Sequence, residues 1–198
     1  MKPRMFLIAT CLLLLPLTTF AQQTWQIDPA HTNAEFSVRH MGISTVRGSF
    51  TKTTGTIQYD PTDPSKTAIE ATIDANSIDT RNENRDKDLR SDHFFDIAKY
   101  PTLTFKSKSA QVASAGKLKV TGDLTIHGVT KEVILNVDGP SSPVKDPRGN
   151  VHMGASASTV INRSDFGMTG MQAMVGNEIT INIDVEVVQP AQQQTASK

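Results

Sequence analysis

The chain has 198 residues, with 20 basic residues, 20 acidic residues, five histidines and one cysteine. A net charge near zero gives no general attraction to nucleic acid or to an anionic membrane. The single cysteine lies in the N-terminal leader, which excludes a disulfide or thiolate chemistry in the remainder, so a single domain must be stabilised by packing alone.

Residues 1–21 have the pattern of a secretory signal peptide. Lys2 and Arg4 precede a continuous apolar stretch, and small residues around Ala21 fit a cleavage site. We therefore expect cleavage after Ala21 and export of the mature chain. Acylation at Cys11 is the alternative, but the apolar stretch ahead of that cysteine is very short.

The mature chain alternates apolar and polar residues in segment after segment, which is the period of strands with one wet face. Glycine, proline and aspartate separate the segments. The alternating positions are Ala34, Phe36 and Val38; Val46, Gly48 and Phe50; Ile69, Ala71 and Ile73; Leu118, Val120, Leu124 and Ile126; Val133, Leu135 and Val137; and Ile179, Ile181, Ile183, Val185 and Val187. The pattern predicts an all-β domain of about eight antiparallel strands, without βαβ units.

Either a β-sandwich or a β-barrel accommodates such strands, and periodicity alone does not separate the two. A barrel that spans a membrane is disfavoured, because charges on a lipid-facing surface are costly. The faces opposite the apolar ones carry Glu35, Arg39, Lys117, Lys119, Asp184 and Glu186. We therefore expect a protein that is not an integral membrane protein.

The segment over residues 73–105 is the most distinctive part of the chain. Thr80 and Glu83 have the spacing of a capping box, which predicts a short polar helix over residues 84–91. A pair of phenylalanines at 94–95 follows directly and needs cover. We interpret the segment as a lid that aromatic residues pin onto one end of the β structure.

Six motifs, taken in their order along the chain, add a family resemblance. They are His31-Thr32-Asn33; Phe36-Ser37-Val38-Arg39-His40-Met41; Val46-Arg47-Gly48-Ser49-Phe50; the segment 73–105; Gly122-Asp123-Leu124-Thr125-Ile126-His127-Gly128-Val129-Thr130; and Asn162-Arg163-Ser164-Asp165-Phe166-Gly167-Met168. The set resembles the YceI family of bacterial periplasmic lipid-binding proteins. That resemblance implies a lipocalin-like antiparallel β-barrel over residues 22–190, located in the periplasm, that holds a polyisoprenoid or similar long-chain lipid. Residues 191–198 are then a disordered polar tail.

The inner faces of such a barrel supply the expected apolar lining. Small residues such as Ala34 and Ala71 leave room for a guest, and the methionines gathered after residue 150 adapt to its shape. Simple core packing is the alternative for each position. The lining residues that we expect are Phe36, Val38, Phe50, Ile73, Phe94, Phe95, Leu103, Phe105, Leu124, Ile126, Met153, Phe166 and Met168.

Four polar residues are candidates for contact with a lipid headgroup: His40, Asn84, Arg85 and Arg90. Alternation places His40 on the same face as Phe36, where it would meet either a headgroup or a partner in the core. The other three lie on the predicted lid, where a solvated helix face is the alternative.

Signals for chemistry are weak. None of the five histidines shows zinc-ligand spacing, and no nucleophile motif accompanies the aspartates of the lid. We therefore expect no metal, no catalytic residue and no cofactor beyond a bound lipid, in a protein that binds, transports or stores that lipid. An enzyme or redox helper acting on an isoprenoid quinone and a ligand-free stress-response interaction module are the alternatives. The lipid is the expected partner, nucleic acid is not, and a homodimer stays open.

Overall fold

Twelve strands account for most of residues 23–191, the part of the chain that this computed structural model describes. The predicted leader and residues 192–198 of the predicted tail lie outside the described residues. The strands are β1 (Gln23–Ile27), β2 (Asn33–His40), β3 (Ser44–Phe50), β4 (Thr53–Tyr59), β5 (Ala68–Asp74), β6 (Ile78–Asp79), β7 (Thr102–Ser114), β8 (Lys117–Ile126), β9 (Val129–Asp138), β10 (Val144–Lys145), β11 (Val151–Asn162) and β12 (Val175–Gln189). Helical structure in the described part comprises α1 (Glu83–Arg90) and 3-10 turns at Pro64–Lys66, Ala75–Ser77 and Arg163–Phe166.

Eight of these strands close into a ring in the order β11, β9, β8, β7, β5, β4, β1, β12 and back to β11, with every pairing antiparallel. The ladder that closes the ring runs from Val151 opposite Gln189 to Asn162 opposite Glu178. Closure satisfies backbone groups that an open sheet would leave unpaired at its edges. The predicted all-β, lipocalin-like antiparallel barrel is confirmed, and the choice between sandwich and barrel falls on the barrel.

Strand β12 is the seam of the barrel because it pairs with two successive strands on the same side. Ile27 of β1 lies opposite Val187, and Ala34 of β2 lies opposite Ile183. Residues 28–32 form a kink between these two pairings. Beyond the seam, β2 and β3 form a hairpin that the two-residue strand β6 extends.

The alternation read from the sequence sets which side chains face inward. On β12, Ile181 and Ile183 line an internal cavity, whereas Asn182 and Asp184 are exposed on the outer face. Apolar side chains therefore enclose the interior, and charged side chains meet solvent.

Helix α1 begins with a cap that differs from the predicted one. Asn82 is the N-cap, and its side chain accepts a hydrogen bond from the Arg85 N–H at 3.0 Å. Thr80 does not cap the helix; it donates instead to the buried carboxylate of Asp86. The predicted capping box is therefore wrong, because the Asp86 carboxylate takes up both the Thr80 hydroxyl and its backbone N–H.

Parts of the barrel interior are solidly packed. Phe166 and Ile78 are each 1% exposed in a cluster that covers one end of the barrel. Trp25 is 2% exposed in another cluster with Met153 and Val187, and its indole N–H has no hydrogen-bond partner among residues 23–191.

Candidate ligand cavity

A cavity of about 220 Å³ lies inside the barrel. Its wall is almost entirely apolar. The strands β1, β2, β3, β4, β5, β7, β8, β9, β11 and β12 contribute to it, together with the segment that contains α1. Apolar cavities of about 150 Å³ stay dry and admit small apolar molecules, so a space of this size suits a hydrocarbon guest.

Small side chains explain why the interior is not filled. Ala34, Ala71, Ala155 and Ala157 lie at inward positions on three strands, where each contributes only a methyl group to the wall. An eight-stranded barrel is just wide enough either to be filled by its own side chains or to hold one slender ligand. The alanines shift that balance toward an open space, and neighbouring apolar residues such as Phe36 remain only half-buried.

Eleven of the thirteen apolar residues expected in the lining do line the cavity. Met153 does not, because it packs against Trp25 and Val187 in a separate cluster. Phe166 does not either, because it is 1% exposed within the solid core at one end of the barrel. Of the later methionines, Met168 lines the cavity, whereas Met171 is exposed. The ligand-binding role of every one of these residues stays a prediction.

The predicted lid covers the cavity from one end. Phe94 and Phe95 both line it, and the ring of Phe95 meets the ring of Phe50 edge-on with centroids 5.6 Å apart. Leu89 of α1 also lines the cavity, a contact that the polar sequence of the helix did not predict. Aromatic contacts therefore hold the segment against the barrel.

The two arginines expected at a headgroup fasten the lid segment instead. Arg85 donates from Nε and Nη2 to the hydroxyl and carbonyl oxygens of Thr80, both at 2.7 Å. Arg90 donates to the carbonyl oxygens of Asn76 at 3.0 Å and Ile78 at 2.6 Å. Both guanidinium groups are thus used to hold α1 against the preceding turn and strand.

The other two predicted polar residues also lie outside the lining. His40 is half-buried at the end of β2, opposite Ser44 of β3 and Val175 of β12, and Asn84 is exposed on α1. None of the four predicted headgroup residues is among the described residues that line the cavity. Their contact with a ligand stays a prediction.

Arg163 is a cavity residue that the sequence analysis did not select. It directly follows β11, it lines the cavity, and it is 3% exposed. Burial lowers the pKa of its guanidinium, which still remains charged at neutral pH. Strand parity could have found it, since odd-numbered residues of β11 such as Ala157 and Ile161 face inward and Arg163 continues that series.

A second group of ionisable residues lies on the outer side of the barrel. His31 Nδ1 is 2.8 Å from Asp28 Oδ2 and 3.9 Å from Glu186 Oε1. His152 Nδ1 is 2.8 Å from the same oxygen, Glu186 Oε1, and its Nε2 is 3.3 Å from Asp146 Oδ2. We call these five residues the outer cluster. Asp28 and His31 lie in the kink, Asp146 in the loop before β11, His152 in β11 and Glu186 in β12. The two imidazoles link the three carboxylates.

Mutual contacts shift the titration of the outer cluster. The hydrogen bond with Asp28 raises the pKa of His31, and in return it lowers the pKa of Asp28. Desolvation opposes the charged form of His152, but the hydrogen bonds to Glu186 and Asp146 outweigh it, so the pKa of His152 is raised. Desolvation likewise opposes the charged form of Asp146, but its hydrogen bonds keep the pKa of that carboxyl lowered.

Three donor atoms of the outer cluster, from Asp28, His31 and Glu186, lie within 4.8 Å of one another, a spacing at which a metal ion could be held. Histidine spacing in the sequence could not indicate this group, because Glu186 comes from a strand near the other end of the chain. Hydrogen bonds within the cluster account for its geometry without an ion.

Among residues 23–191, no helix is long and apolar enough to cross a membrane.

Comparison with known proteins places this barrel in a family. The model of the YceI-like domain matches residues 25–187. A UPF0312 protein of Vibrio cholerae serotype O1 is 36% identical over 160 residues, which cover 81% of this chain and 83% of the relative.

Solved structures agree with the fold. The YceI protein of Campylobacter jejuni is 34% identical and superposes with a TM-score of 0.67 over 76% of this chain and 89% of its own. A polyisoprenoid binding domain from Saccharophagus degradans, implicated in plant cell wall breakdown, shares the fold at 16% identity, with a TM-score of 0.63 over 84% of this chain and 98% of that domain. The matched domain spans nearly the whole barrel, and the chain belongs to the YceI family.

Proposed function

We propose that this protein binds a long-chain isoprenoid or similar amphiphilic lipid in its barrel cavity, as a non-catalytic carrier or store in the periplasm. The observation that carries the proposal is the almost wholly apolar cavity inside the barrel, where the inward alanines leave space for a guest. The similarity in fold to a polyisoprenoid binding domain supports the same ligand class, and the leader-like residues 1–21 support export.

Burial of hydrocarbon supplies enough free energy for such binding. Each isoprene unit has five carbons, and a buried carbon contributes about 0.8 kcal/mol, so one unit contributes about 4 kcal/mol before ordering costs. A few buried units therefore suffice, and polar groups need only select the headgroup and its orientation.

The lining gives little material for covalent chemistry. Its polar members within the described residues are four threonines, the exposed Glu35 and Arg163, without a histidine, cysteine, serine or aspartate. General acid–base or nucleophilic catalysis requires a titratable or activated group beside the substrate. This composition favours a carrier over an enzyme.

Native mass spectrometry of the protein, produced with its leader in a bacterial periplasm, tests the proposal when followed by organic extraction and lipid analysis. We expect one long-chain lipid per protein. Ala157→Phe, which places a ring in the cavity, should abolish co-purification of that lipid. Val160→Phe is the matched control, because Val160 is 56% exposed on the outer face of the same strand.

A ligand-free mass for the wild-type protein, unchanged after incubation with prenyl lipids, would overturn the proposal. Equal lipid occupancy in Ala157→Phe and in the wild-type protein would also contradict it, because the lipid would then lie outside the cavity.

A further inference from the structure

A single basic side chain stands in the apolar wall of the cavity. Among the described lining residues, Arg163 alone carries a basic group, and it is 3% exposed. Its guanidinium carbon lies 6.0 Å from the ring centroid of Phe94, which belongs to the lid segment and also lines the cavity. The charge is therefore located at the end of the cavity that the lid covers.

Carbonyl oxygens of the loop between β11 and β12 and of the first two residues of β12 satisfy part of this guanidinium. Nε donates to Gly176 at 2.9 Å, Nη1 to Met168 at 2.8 Å and Nη2 to Val175 at 2.9 Å. These bonds tie both ends of the loop together. A guanidinium has five N–H donors, so two remain without an acceptor among residues 23–191.

The positive charge itself has no counter-ion in the described part of the chain. No carboxylate of residues 23–191 lies within 4.0 Å of the Arg163 nitrogens, and the nearest acidic residue in sequence, Asp165, is exposed. A buried charge without an opposite charge is unfavourable, and carbonyl dipoles compensate only part of the lost hydration. Almost none of the wall that faces the cavity is polar, so an anionic group would reach the two remaining donors only after the side chains around Arg163 move apart. Such a group would then remove that penalty.

We propose that Arg163 is the headgroup site of the cavity, and that the ligand is an acidic amphiphile whose carboxylate or phosphate binds the guanidinium while its apolar chain fills the barrel. The inference rests on the proposed function, since the chain must enter the cavity for its headgroup to reach Arg163. It assigns the headgroup to a residue outside the lid helix, whose own arginines bind backbone carbonyl groups.

A purely structural role for Arg163 would be to clamp the loop. That role requires the three carbonyl bonds but predicts no preference among headgroups. The two roles therefore differ in one measurable quantity, the ratio of affinities for acidic and neutral ligands that share one hydrocarbon chain.

The first experiment uses the wild-type protein and needs no substitution. After delipidation, affinities are measured by titration calorimetry for geranylgeranyl monophosphate, geranylgeranoic acid, its methyl ester and geranylgeraniol. We expect the two acids to bind about ten- to a hundredfold more tightly than the ester and the alcohol, as for a hydrogen bond to a charged group. The ranking of phosphate against carboxylate identifies the headgroup that fits better.

The outcomes separate this inference from the proposed function. Equal affinity for all four ligands would overturn the headgroup site and leave lipid binding intact. Failure of all four to bind would overturn the proposed function and the headgroup site with it.

Substitution then assigns any preference to Arg163. Arg163→Met should reduce the acid-to-alcohol ratio to near one while geranylgeraniol affinity changes less than about threefold, and Arg163→Lys should retain part of the ratio because it keeps the charge. Arg39→Met is the matched control, since Arg39 is exposed on the β2–β3 hairpin and donates to Thr45 and Gly42.

A full acid preference in folded Arg163→Met would overturn the assignment. Circular dichroism establishes folding for each variant. If Arg163→Met does not fold, loss of preference in Arg163→Lys together with the wild-type ranking decides the matter, because Lys lacks the planar fork but keeps the charge. In that case an Arg163→Lys ratio equal to that of the wild-type protein would overturn the assignment.

Discussion

Ionisable groups lie on both the outer and the inner side of the barrel around strands β11 and β12, and the two sides arrange charge differently. On the outside, every charged member of the outer cluster has a partner of opposite charge within the same cluster. On the inside, Arg163 is buried against three carbonyl oxygens and the ring of Phe94, without a carboxylate partner among residues 23–191. Groups that satisfy one another contribute to folding, whereas a buried cation without a counter-ion gains from an anionic ligand that reaches it.

Buried side chains should contribute more to the free energy of unfolding than side chains on the outer face, and Phe166→Ala is the strongest test of this difference. Because Phe166 is 1% exposed, its removal leaves a void in packed core and should lower the free energy of unfolding by about 3–5 kcal/mol. Urea unfolding measures the change. Val160→Ala, at a position 56% exposed on the outside, should stay within about 0.5 kcal/mol. A similar loss of unfolding free energy in both variants would contradict the expected difference between buried and outer positions.

Phe95→Asp tests whether Phe95 serves mainly to hold the ligand or mainly to pack the core. Phe95 lines the cavity and is only half-buried, so a carboxylate there meets the ligand while part of it reaches water. We expect ligand dissociation to become about tenfold faster, and the melting temperature to fall less than in Phe166→Ala. Stopped-flow lipid transfer and thermal melting are the measurements. Equal impairment of retention and folding would show that Phe95 is simply core.

The outer cluster should make stability depend on pH. Since folding raises the pKa values of His31 and His152, their contribution is complete below about pH 6.5 and is lost as the pH rises through the higher folded values. Folding lowers the pKa values of Asp28 and Asp146, so their contribution is present above about pH 3.9 and is lost as the pH falls through the lower folded values.

Thermal melting of the wild-type protein between pH 5 and 8.5 checks this dependence. We expect the melting temperature to decline on the alkaline side, and the decline to be smaller in a double variant, His31→Gln with His152→Gln. A decline of the same size in both proteins would exclude the two histidines as its cause.

Glu186→Gln should have the smallest effect. It removes the carboxylate that lies between the two histidines but leaves the barrel interior untouched. Partly exposed ion pairs contribute about 0.2–1 kcal/mol, so the melting temperature should fall by about 1–3 °C. Lipid occupancy by native mass spectrometry should be unchanged, and loss of the lipid would show that the two faces are coupled.

The sequence predicted the inner wall well because one rule governs it. In a strand with one wet face, parity alone decides which side chains turn inward, and residues such as Val38, Leu124 and Ile126 follow it. Parity does not reveal whether an inward side chain meets another side chain or open space. Met153 therefore could not be separated from Met168 by sequence.

Polar contacts were predicted poorly because their partners are backbone groups. Arg85 and Arg90 look like free cations in the sequence, yet both donate to oxygens of the chain just before α1. Arg163 was missed because it was considered only as part of a family motif and not as a residue of the inner wall. The outer cluster brings together residues far apart along the chain, a proximity that follows from the closure of the barrel at β12.

The single tryptophan of the chain makes the seam of the barrel visible to spectroscopy. Trp25 sits in β1 among Met153 and Val187, away from water and outside the cavity wall. Its emission should therefore lie at short wavelength in the folded protein and shift to the red when β1 separates from β12. Because the indole does not touch the cavity, that signal reports barrel opening independently of whether a lipid is bound.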